Sequence, residues 1–219
     1  MSDKNKLIFN QIKKKIKGQF EGESTGHDWF HIERVFNNAL LIAKDEDCNQ
    51  LIVGVGALLH DIADHKFVQN ADQVAKERVN QICKEVGLSV EQENQVQHIV
   101  ENVSFKGGIG ENKMKSIEGL IVQDADRLDA IGAIGIARTF AFGGKFGNEI
   151  YNPHVDPSNF KNAEEYRTKR THTINHFYEK LLLLKDKMNT NSARKIADSR
   201  HAFMENFLKQ FYAEWEGER

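Results

Sequence analysis

The sequence is poor in proline, cysteine and long apolar runs, and each scarcity removes a class of structure. Two prolines in 219 residues, Pro153 and Pro157, leave helices uninterrupted over most of the chain. Two cysteines, Cys48 and Cys83, stand in no metal-binding or redox spacing. No segment approaches the ~18 consecutive apolar residues of a membrane span. The first residues lack the apolar core of a secretion signal, so we expect a cytoplasmic protein.

Excess charge is also absent. The 30 Lys and Arg residues against 32 Asp and Glu leave a net charge of −2, which gives no electrostatic basis for nucleic-acid binding. A local basic run, KKKIK at residues 13–17, is interpreted as the solvated face of a helix. We therefore expect one domain over residues 1–219 that binds small molecules, without nucleic-acid or membrane partners. An oligomer is left open.

Apolar residues repeat at helical spacing in the first half of the chain. Ile8, Ile12 and Ile16 predict a first amphipathic helix, and a second is predicted over residues 28–44. Residues 51–62 are apolar on almost all sides, which predicts a buried central helix. Two further helices are predicted over residues 71–86 and 90–103. Ser89 and Gln92 form a capping-box pattern at the start of the latter.

The second half predicts longer elements. Residues 105–113 are glycine-rich and predict a loop, followed by one long buried helix over residues 117–142. A second loop is predicted over residues 143–159, and a helix from the capping-box pattern of Asn162 and Glu165 to about Met188. Asn191 or Ser192 is expected to cap a last helix. The predicted fold class is an all-α, single-domain helical bundle.

Four ionisable residues lie in or beside these apolar segments: His31, His60, Asp61 and Asp126. An ionisable group among apolar helices is costly unless it is paired or bound to a metal. Two neutral imidazoles and two carboxylates suit one divalent transition metal, with coordination positions left for water and substrate. Adjacent helical residues point about 100° apart, so His60 and Asp61 can both reach an ion in a groove between helices. The pattern predicts a metal-dependent hydrolase.

A second His-Asp dipeptide, His27-Asp28, makes the choice of ligand ambiguous. It follows Gly26 at the start of a helix, where Asp28 is suited to cap the helix N-terminus. We choose His31 as the ligand because it lies within the apolar-periodic helix. His27 lies one turn earlier on the same face and is expected to face the substrate.

Three motifs in order make the chain resemble the HD-domain metal-dependent phosphohydrolase superfamily over about residues 20–140. They are H-x-x-R-V-x-x-x-A from His31, ALLHDI at residues 57–62, and DRL from Asp126. The run SFKGG followed by VQDADRLDAIGAIGIARTF is similar to the YpgQ-like bacterial branch. The resemblance implies an HD-type helical fold and makes His31, His60, Asp61 and Asp126 the ligands of one divalent ion. It also implies a nucleotide substrate, with pyrophosphohydrolysis of (deoxy)nucleoside triphosphates favoured.

Two waters would complete a six-coordinate ion, which favours Mn, Ni, Co or Fe over Zn or Mg. Asp64 shares the helix face of His60 and is expected to orient a ligand or accept a proton. Arg34, one turn after His31, is expected to pair with a ligand carboxylate or a phosphate. Lys106, beside Gly107-Gly108, and Arg127 are expected to bind substrate.

Several alternatives stay open. The substrate can be another phosphorylated metabolite, cleaved by an HD-type phosphodiesterase or nucleotidase, or the chain can be a non-catalytic, metal-binding regulatory module. A two-iron oxygenase would need further histidine ligands, for which His98 is the candidate. Asp129 is a candidate partner for a ligand, and His176 a candidate to close the pocket.

Overall fold

A computed structural model of the chain describes residues 1–20, 28–62, 71–103, 112–158 and 171–218; the side chains of residues 71, 72 and 75 lie outside the description. Within these ranges the regular structure is helical and contains no strand, which confirms the predicted all-α class. No helix in the described ranges is both long and apolar enough to cross a membrane.

Nine α-helices account for most of the described residues. In chain order they are α1 (Asp3–Ile16), α2 (Trp29–Ile42), α3 (Gln50–Leu59), α4 (Ala71–Glu85), α5 (Val90–Asn102), α6 (Ile117–Asp129), α7 (Gly132–Lys145), α8 (Asn175–Glu179) and α9 (Asn191–Trp215). Short 3₁₀ turns follow α1 at Lys17–Gln19 and follow α8 at Leu181–Leu183 and Lys185–Lys187.

Side-chain caps begin several of these helices and satisfy backbone N–H groups that have no partner inside the helix. The Asp28 carboxylate accepts a hydrogen bond from the backbone N–H of His31 at 2.8 Å, as predicted. At the start of α5, the Ser89 hydroxyl accepts from the Gln92 N–H and the Gln92 side chain accepts from the Ser89 N–H. The predicted capping box is therefore confirmed.

By Cα proximity the chain divides into two compact units between Asp126 and Arg127. In the first unit α3 is central, because α1, α2 and α5 all pack against it, and α4 packs on α5. The residue at Gly56 must be small: a Cβ there would lie 3.1 Å from two carbons of Ile99 and 3.5 Å from Val122. Helices α3, α5 and α6 therefore meet closely at Gly56.

In the second unit α7 packs against α9. Phe177 of α8 is fully buried and its ring stacks on that of Phe207, with centroids 5.7 Å apart; Phe140 of α7 lies 6.2 Å from Phe177. These aromatic contacts give the second unit an apolar core of its own. That residues 1–219 act as one domain stays a prediction.

The predicted single helix over residues 117–142 is wrong: α6 ends at Asp129 and α7 begins at Gly132 and continues to Lys145. Ile131 is extended and Gly132 has a φ of 76°, in the left-handed region that a residue without Cβ adopts easily. Arg200 reinforces the break by donating a hydrogen bond to the Leu128 carbonyl near the end of α6. The apolar period continues across residues 130–132 although the helix does not.

The predicted helix up to Met188 is wrong in its described part. Residues 171–174 are not helical, α8 is only five residues long, and two 3₁₀ turns replace the rest. The capping-box residues Asn162 and Glu165 lie outside the described residues. The last helix is capped by Thr190, whose hydroxyl accepts from the Ala193 N–H, and not by Asn191 or Ser192.

Candidate metal centre

Four side chains converge in the first unit where α2, the end of α3 and the last turns of α6 meet. The Nε2 atoms of His31 and His60 lie 3.2 Å apart. An Asp61 carboxylate oxygen lies 3.5 Å from His31 Nε2 and 3.6 Å from His60 Nε2. An Asp126 oxygen lies 3.6 and 3.9 Å from the same two nitrogens. The residues predicted as ligands are therefore brought together.

The tautomer of His60 suits it to bind a metal. Its Nδ1 lies 2.8 Å from the backbone carbonyl of Ala57, and a carbonyl can only accept, so Nδ1 carries the hydrogen. In the neutral imidazole the lone pair is then on Nε2, the atom that faces His31 and the two carboxylates. Metal-binding histidines are commonly fixed in this way by a hydrogen bond from the other ring nitrogen.

The separations fit donors around one ion. Ligand bonds of ~2.1 Å at right angles put neighbouring donor atoms ~3.0 Å apart, and wider angles give larger distances. His31, His60 and Asp126 each offer one donor atom, and these three atoms lie within 4.8 Å of one another. Asp61 is not in that group of three, but its oxygen is as close to both imidazoles as the Asp126 oxygen is. We therefore count it as the fourth donor on the direct distances.

Burial differs between the two kinds of ligand. The side chains of His31 and His60 are 0% and 1% exposed, whereas those of Asp61 and Asp126 are 17% and 29% exposed. Two imidazoles thus form the closed side of the centre and two carboxylates its open side. Two carboxylates balance the charge of a divalent ion, and the open side can admit water and a substrate.

The α3 helix ends at Leu59, so His60 and Asp61 lie in the turn after it and not within a helix to residue 62 as predicted. The turn is tightened by a hydrogen bond from the Ile62 N–H to the Leu59 carbonyl. Helices leave their last carbonyls unpaired, and the Ala57 carbonyl is the one that binds His60 Nδ1. The helix end therefore orients the ligand.

The remaining predicted site residues are only partly described. Arg34 is half-buried on α2, one turn after His31. Arg127 directly follows Asp126 on α6 and donates a hydrogen bond to the Lys187 carbonyl. His27, Asp64 and Lys106 lie outside the described residues. The roles of these five residues stay predictions.

Two other residues that were candidates for the site, Asp129 and His176, lie in the second unit. The Asp129 carboxylate is 2% exposed and accepts a hydrogen bond from Arg138 at 2.6 Å, which makes it the buried half of an ion pair whose Arg138 side chain is 19% exposed. Burial, and secondarily the charge of Lys180, lower the pKa of His176 to about 3. His176 is therefore neutral at physiological pH.

A hydrogen-bonded network one turn before Asp126 escaped sequence analysis. Gln123 is buried, and its amide nitrogen donates to the Asn102 carbonyl at 3.0 Å and to Asn112 Oδ1 at 3.1 Å. Asn112 donates back to Gln123 Oε1 at 3.1 Å. The network joins the end of α5 and the residues before α6 to the helix that carries Asp126. A glutamine and the fully buried Asp124 inside an apolar run were the available signal.

An all-helical fold with a His, His-Asp and Asp centre defines the class of HD-type metal-dependent hydrolases. A model of the HD domain matches residues 29–131, which contain all four residues predicted as ligands. YpgQ of Bacillus subtilis is 38% identical over 202 residues, 91% of this chain and 90% of YpgQ. The chain belongs to the HD-domain family.

Solved structures agree with this membership. A Lactobacillus plantarum protein covers 100% of both chains at 34% identity with a TM-score of 0.83. An HD-superfamily hydrolase from Bacillus thuringiensis is 41% identical, covers 97% of this chain and 98% of its own, and has a TM-score of 0.76. Bacillus subtilis YpgQ in complex with ADP is 34% identical over 96% of each chain, also with a TM-score of 0.76. The protein is accordingly an enzyme of the hydrolase class.

Proposed function

We propose that this protein hydrolyses nucleoside or deoxynucleoside triphosphates to the monophosphate and pyrophosphate with one divalent metal ion. The proposal is carried by the convergence of four side chains. His31 Nε2 and His60 Nε2 lie 3.2 Å apart, and one oxygen each of Asp61 and Asp126 lies within 3.9 Å of both nitrogens. A bound divalent ion would lower the pKa of a water molecule and polarise a phosphoryl oxygen. Attack by water on the α-phosphorus breaks its bond to the bridging oxygen, and pyrophosphate leaves with that oxygen.

The four ligands are proposed to divide the work by their burial. His31 and His60 hold the ion from the closed side as neutral donors, and the Ala57 carbonyl keeps the His60 ring in the correct tautomer. Asp61 and Asp126 neutralise the ion from the side that is open to solvent. Four protein ligands leave two positions of an octahedral ion for water and a phosphate oxygen, which favours Mn, Ni, Co or Fe over Zn or Mg.

A triphosphate brings several negative charges to the centre. The two positive charges of a divalent ion would already be balanced there by the carboxylates of Asp61 and Asp126. Cationic side chains beside the centre are therefore needed. Arg34, half-buried one turn after His31, is proposed to bind a phosphate, and Lys106, Arg127 and His27 are proposed as further substrate contacts. Asp64, four residues after His60, is proposed to orient or deprotonate the attacking water.

The nucleotide preference is supported by the crystal structure of YpgQ in complex with ADP, a protein of the same family at 34% identity. Cys48 and Cys83 are both free thiols, which supports our proposal of a cytoplasmic location. An HD-type phosphodiesterase or nucleotidase would use the same centre on a different phosphate ester. Product analysis separates these activities.

The test is a hydrolysis screen of purified protein, stripped of metal and reloaded with Mn, Ni, Co, Fe, Zn or Mg. Nucleoside and deoxynucleoside triphosphates, monophosphates and a phosphodiester are the substrates, and pyrophosphate and orthophosphate are measured separately. We expect pyrophosphate from triphosphates, lost on chelation and in Asp61→Ala. Orthophosphate alone, or activity that survives in Asp61→Ala after metal reloading, would refute the proposal. Nucleotide binding without turnover under every metal would favour the regulatory module.

A further inference from the structure

We propose that the carboxylate of Asp28 strengthens the binding of the divalent ion without being one of its ligands, because its charge offsets the positive end of α2. The inference rests on the metal centre of the proposed function and adds a charge that the ligand set leaves out. Asp28 belongs to the second His-Asp dipeptide of the chain, which the set of His31, His60, Asp61 and Asp126 does not use.

Hydrogen bonds hold Asp28 beside the ligand His31. Asp28 is the N-cap of α2, and its Oδ1 accepts a hydrogen bond from the His31 backbone N–H at 2.8 Å. The same nitrogen lies 3.0 Å from the Asp28 backbone carbonyl, which also accepts from the Ile32 N–H at 3.4 Å. His31 is the third residue of α2, and side chains tilt toward the N-terminus of their helix. The His31 side chain therefore lies at the helix end that Asp28 caps.

The three helices of the metal centre present different ends to it. His60 and Asp61 follow the last residue of α3, and Asp126 lies in the last turn of α6. The carbonyl groups at a helix C-terminus carry partial negative charge and favour a nearby cation. Helix α2 instead presents its N-terminus, where N–H groups carry partial positive charge and oppose a cation. Of these three helices, only α2 therefore weakens the binding of a divalent ion.

Asp28 supplies a negative charge at this end of α2. The first turn of the helix itself contains no acidic residue. No Lys or Arg among the described residues pairs with the Asp28 carboxylate, which is half-buried and so only partly screened by solvent. Asp61 and Asp126 each lie within 3.9 Å of both imidazole nitrogens, whereas the described contacts of Asp28 are to the backbone of α2. This arrangement suits a counter-charge and not a ligand.

Capping alone does not require an aspartate. Asparagine, serine and aspartate cap helices about equally well. The other helices with a described side-chain cap use uncharged residues, namely Ser2 for α1, Asn49 for α3, Ser89 for α5 and Thr190 for α9. Among these described caps, the charged one belongs to the helix that brings its N-terminus to the metal centre. A neutral cap would satisfy the N–H groups of α2 but would leave the positive charge of the helix end facing the ion.

The test compares wild type with Asp28→Asn, both stripped of metal and titrated with Mn²⁺ in a calorimeter. Asparagine keeps the shape and the capping ability of the side chain but removes its charge. We expect the dissociation constant for Mn²⁺ to rise by about 3- to 10-fold, which is the size of a charge–helix interaction. The stoichiometry should stay at one ion. The difference between the two proteins should shrink when salt is raised from about 0.02 M to about 0.5 M, because salt screens an electrostatic effect.

Three further variants separate the charge of Asp28 from its capping role. Asp28→Ser also keeps a cap without a charge and should bind Mn²⁺ as weakly as Asp28→Asn. Glu91→Gln is the matched control, because it removes an exposed carboxylate from the first turn of α5, a helix that carries none of the four predicted ligands; its Mn²⁺ affinity should equal that of wild type. Ser89→Ala removes the cap of α5 and should lower the melting temperature of the metal-free protein without changing its Mn²⁺ affinity.

The outcomes distinguish this inference from the proposed function. Equal Mn²⁺ affinities of Asp28→Asn and wild type, or a loss that is the same at both salt concentrations, would overturn the role of the charge and leave the proposed hydrolysis untouched. If Asp28→Asn binds Mn²⁺ more weakly but wild type hydrolyses no phosphate compound, the proposed function fails and the role of Asp28 stands. A wild-type protein that binds no divalent ion would overturn both. If Asp28→Asn does not fold, Asp28→Ser takes its place in the comparison.

Discussion

Replacement of Asp126 by asparagine should abolish the stabilisation of the protein by divalent metal without disturbing its fold. Asparagine keeps the shape of the side chain but loses the charge and much of the ligand strength of the carboxylate. The Asp126 oxygen lies 3.6 Å from His31 Nε2 and 3.9 Å from His60 Nε2, and we propose it as one of four donors to the ion. Its side chain is 29% exposed, and an uncharged amide there is not costly to the apo-protein.

The magnitude follows from linkage between metal binding and folding. At a free metal concentration of 100 times Kd, an ion that binds only the folded state stabilises wild type by about 2.7 kcal/mol. For a chain of this size about 1 kcal/mol corresponds to roughly 2–4 °C, so the melting temperature should rise by about 5–11 °C. If Asp126→Asn weakens binding 100-fold, the same concentration equals Kd and stabilises by only about 0.4 kcal/mol, a rise of about 1–2 °C.

The assay is thermal unfolding followed by circular dichroism, with chelator and with Mn²⁺ at a series of concentrations. Asp198→Asn is the control, because the Asp198 side chain on α9 is 67% exposed and its nearest cation, Lys185, is 3.8 Å away. This control should keep the full metal-dependent rise. A wild-type protein without any such rise, or an Asp126→Asn variant with the full rise, would refute the assignment of these residues as metal ligands.

Three further predictions concern stability. Asp129→Ala should lower the free energy of unfolding by about 3–5 kcal/mol, because Arg138 loses its buried partner at 2.6 Å. His176→Gln should make the stability of the protein less sensitive to acid. In the folded protein the pKa of His176 is about 3, below the ordinary 6.5, so the unfolded state binds more protons between these two values. The stabilisation by the neutral His176 is therefore complete above pH 6.5 and is lost as the pH falls toward 3. By pH 4.5 that loss is about 2–3 kcal/mol in wild type alone. Gln123→Leu should cost about 1–3 kcal/mol, because the Asn102 carbonyl loses its donor.

Urea unfolding measures all three predictions. Combining Asp129→Ala with Arg138→Met should cost less than the sum of the single changes, and strict additivity would contradict a direct ion pair. For His176, the difference between variant and wild type must change between pH 7 and pH 4.5; a constant difference would contradict the buried neutral imidazole. A Gln123→Leu variant as stable as wild type would mean that the amide network contributes nothing.

Local interactions explain what could be predicted about the helices. The caps at Asp28 and Ser89 join residues three apart, and such contacts are set by residue type and spacing before any tertiary structure forms. The apolar repeat of Ile8, Ile12 and Ile16 likewise identified a face that the structure buries. The cluster of His31, His60, Asp61 and Asp126 was predictable for another reason: ionisable groups in or beside apolar segments need partners, and these four lie close to one another.

Contacts between distant residues decided the rest. The apolar period runs unbroken through residues 130–132, yet Gly132 turns left-handed there and Arg200, far along the chain, binds the freed Leu128 carbonyl. The buried amide of Gln123 donates to the Asn102 carbonyl, which lies 21 residues earlier in the chain. Residue type and spacing thus predicted the helices of the first half of the chain and the caps at Asp28 and Ser89, because these depend on interactions within one or two turns. Tertiary structure alone decided where the helices break and which buried amides bind one another, because a hydrogen bond between distant segments exists only after they pack.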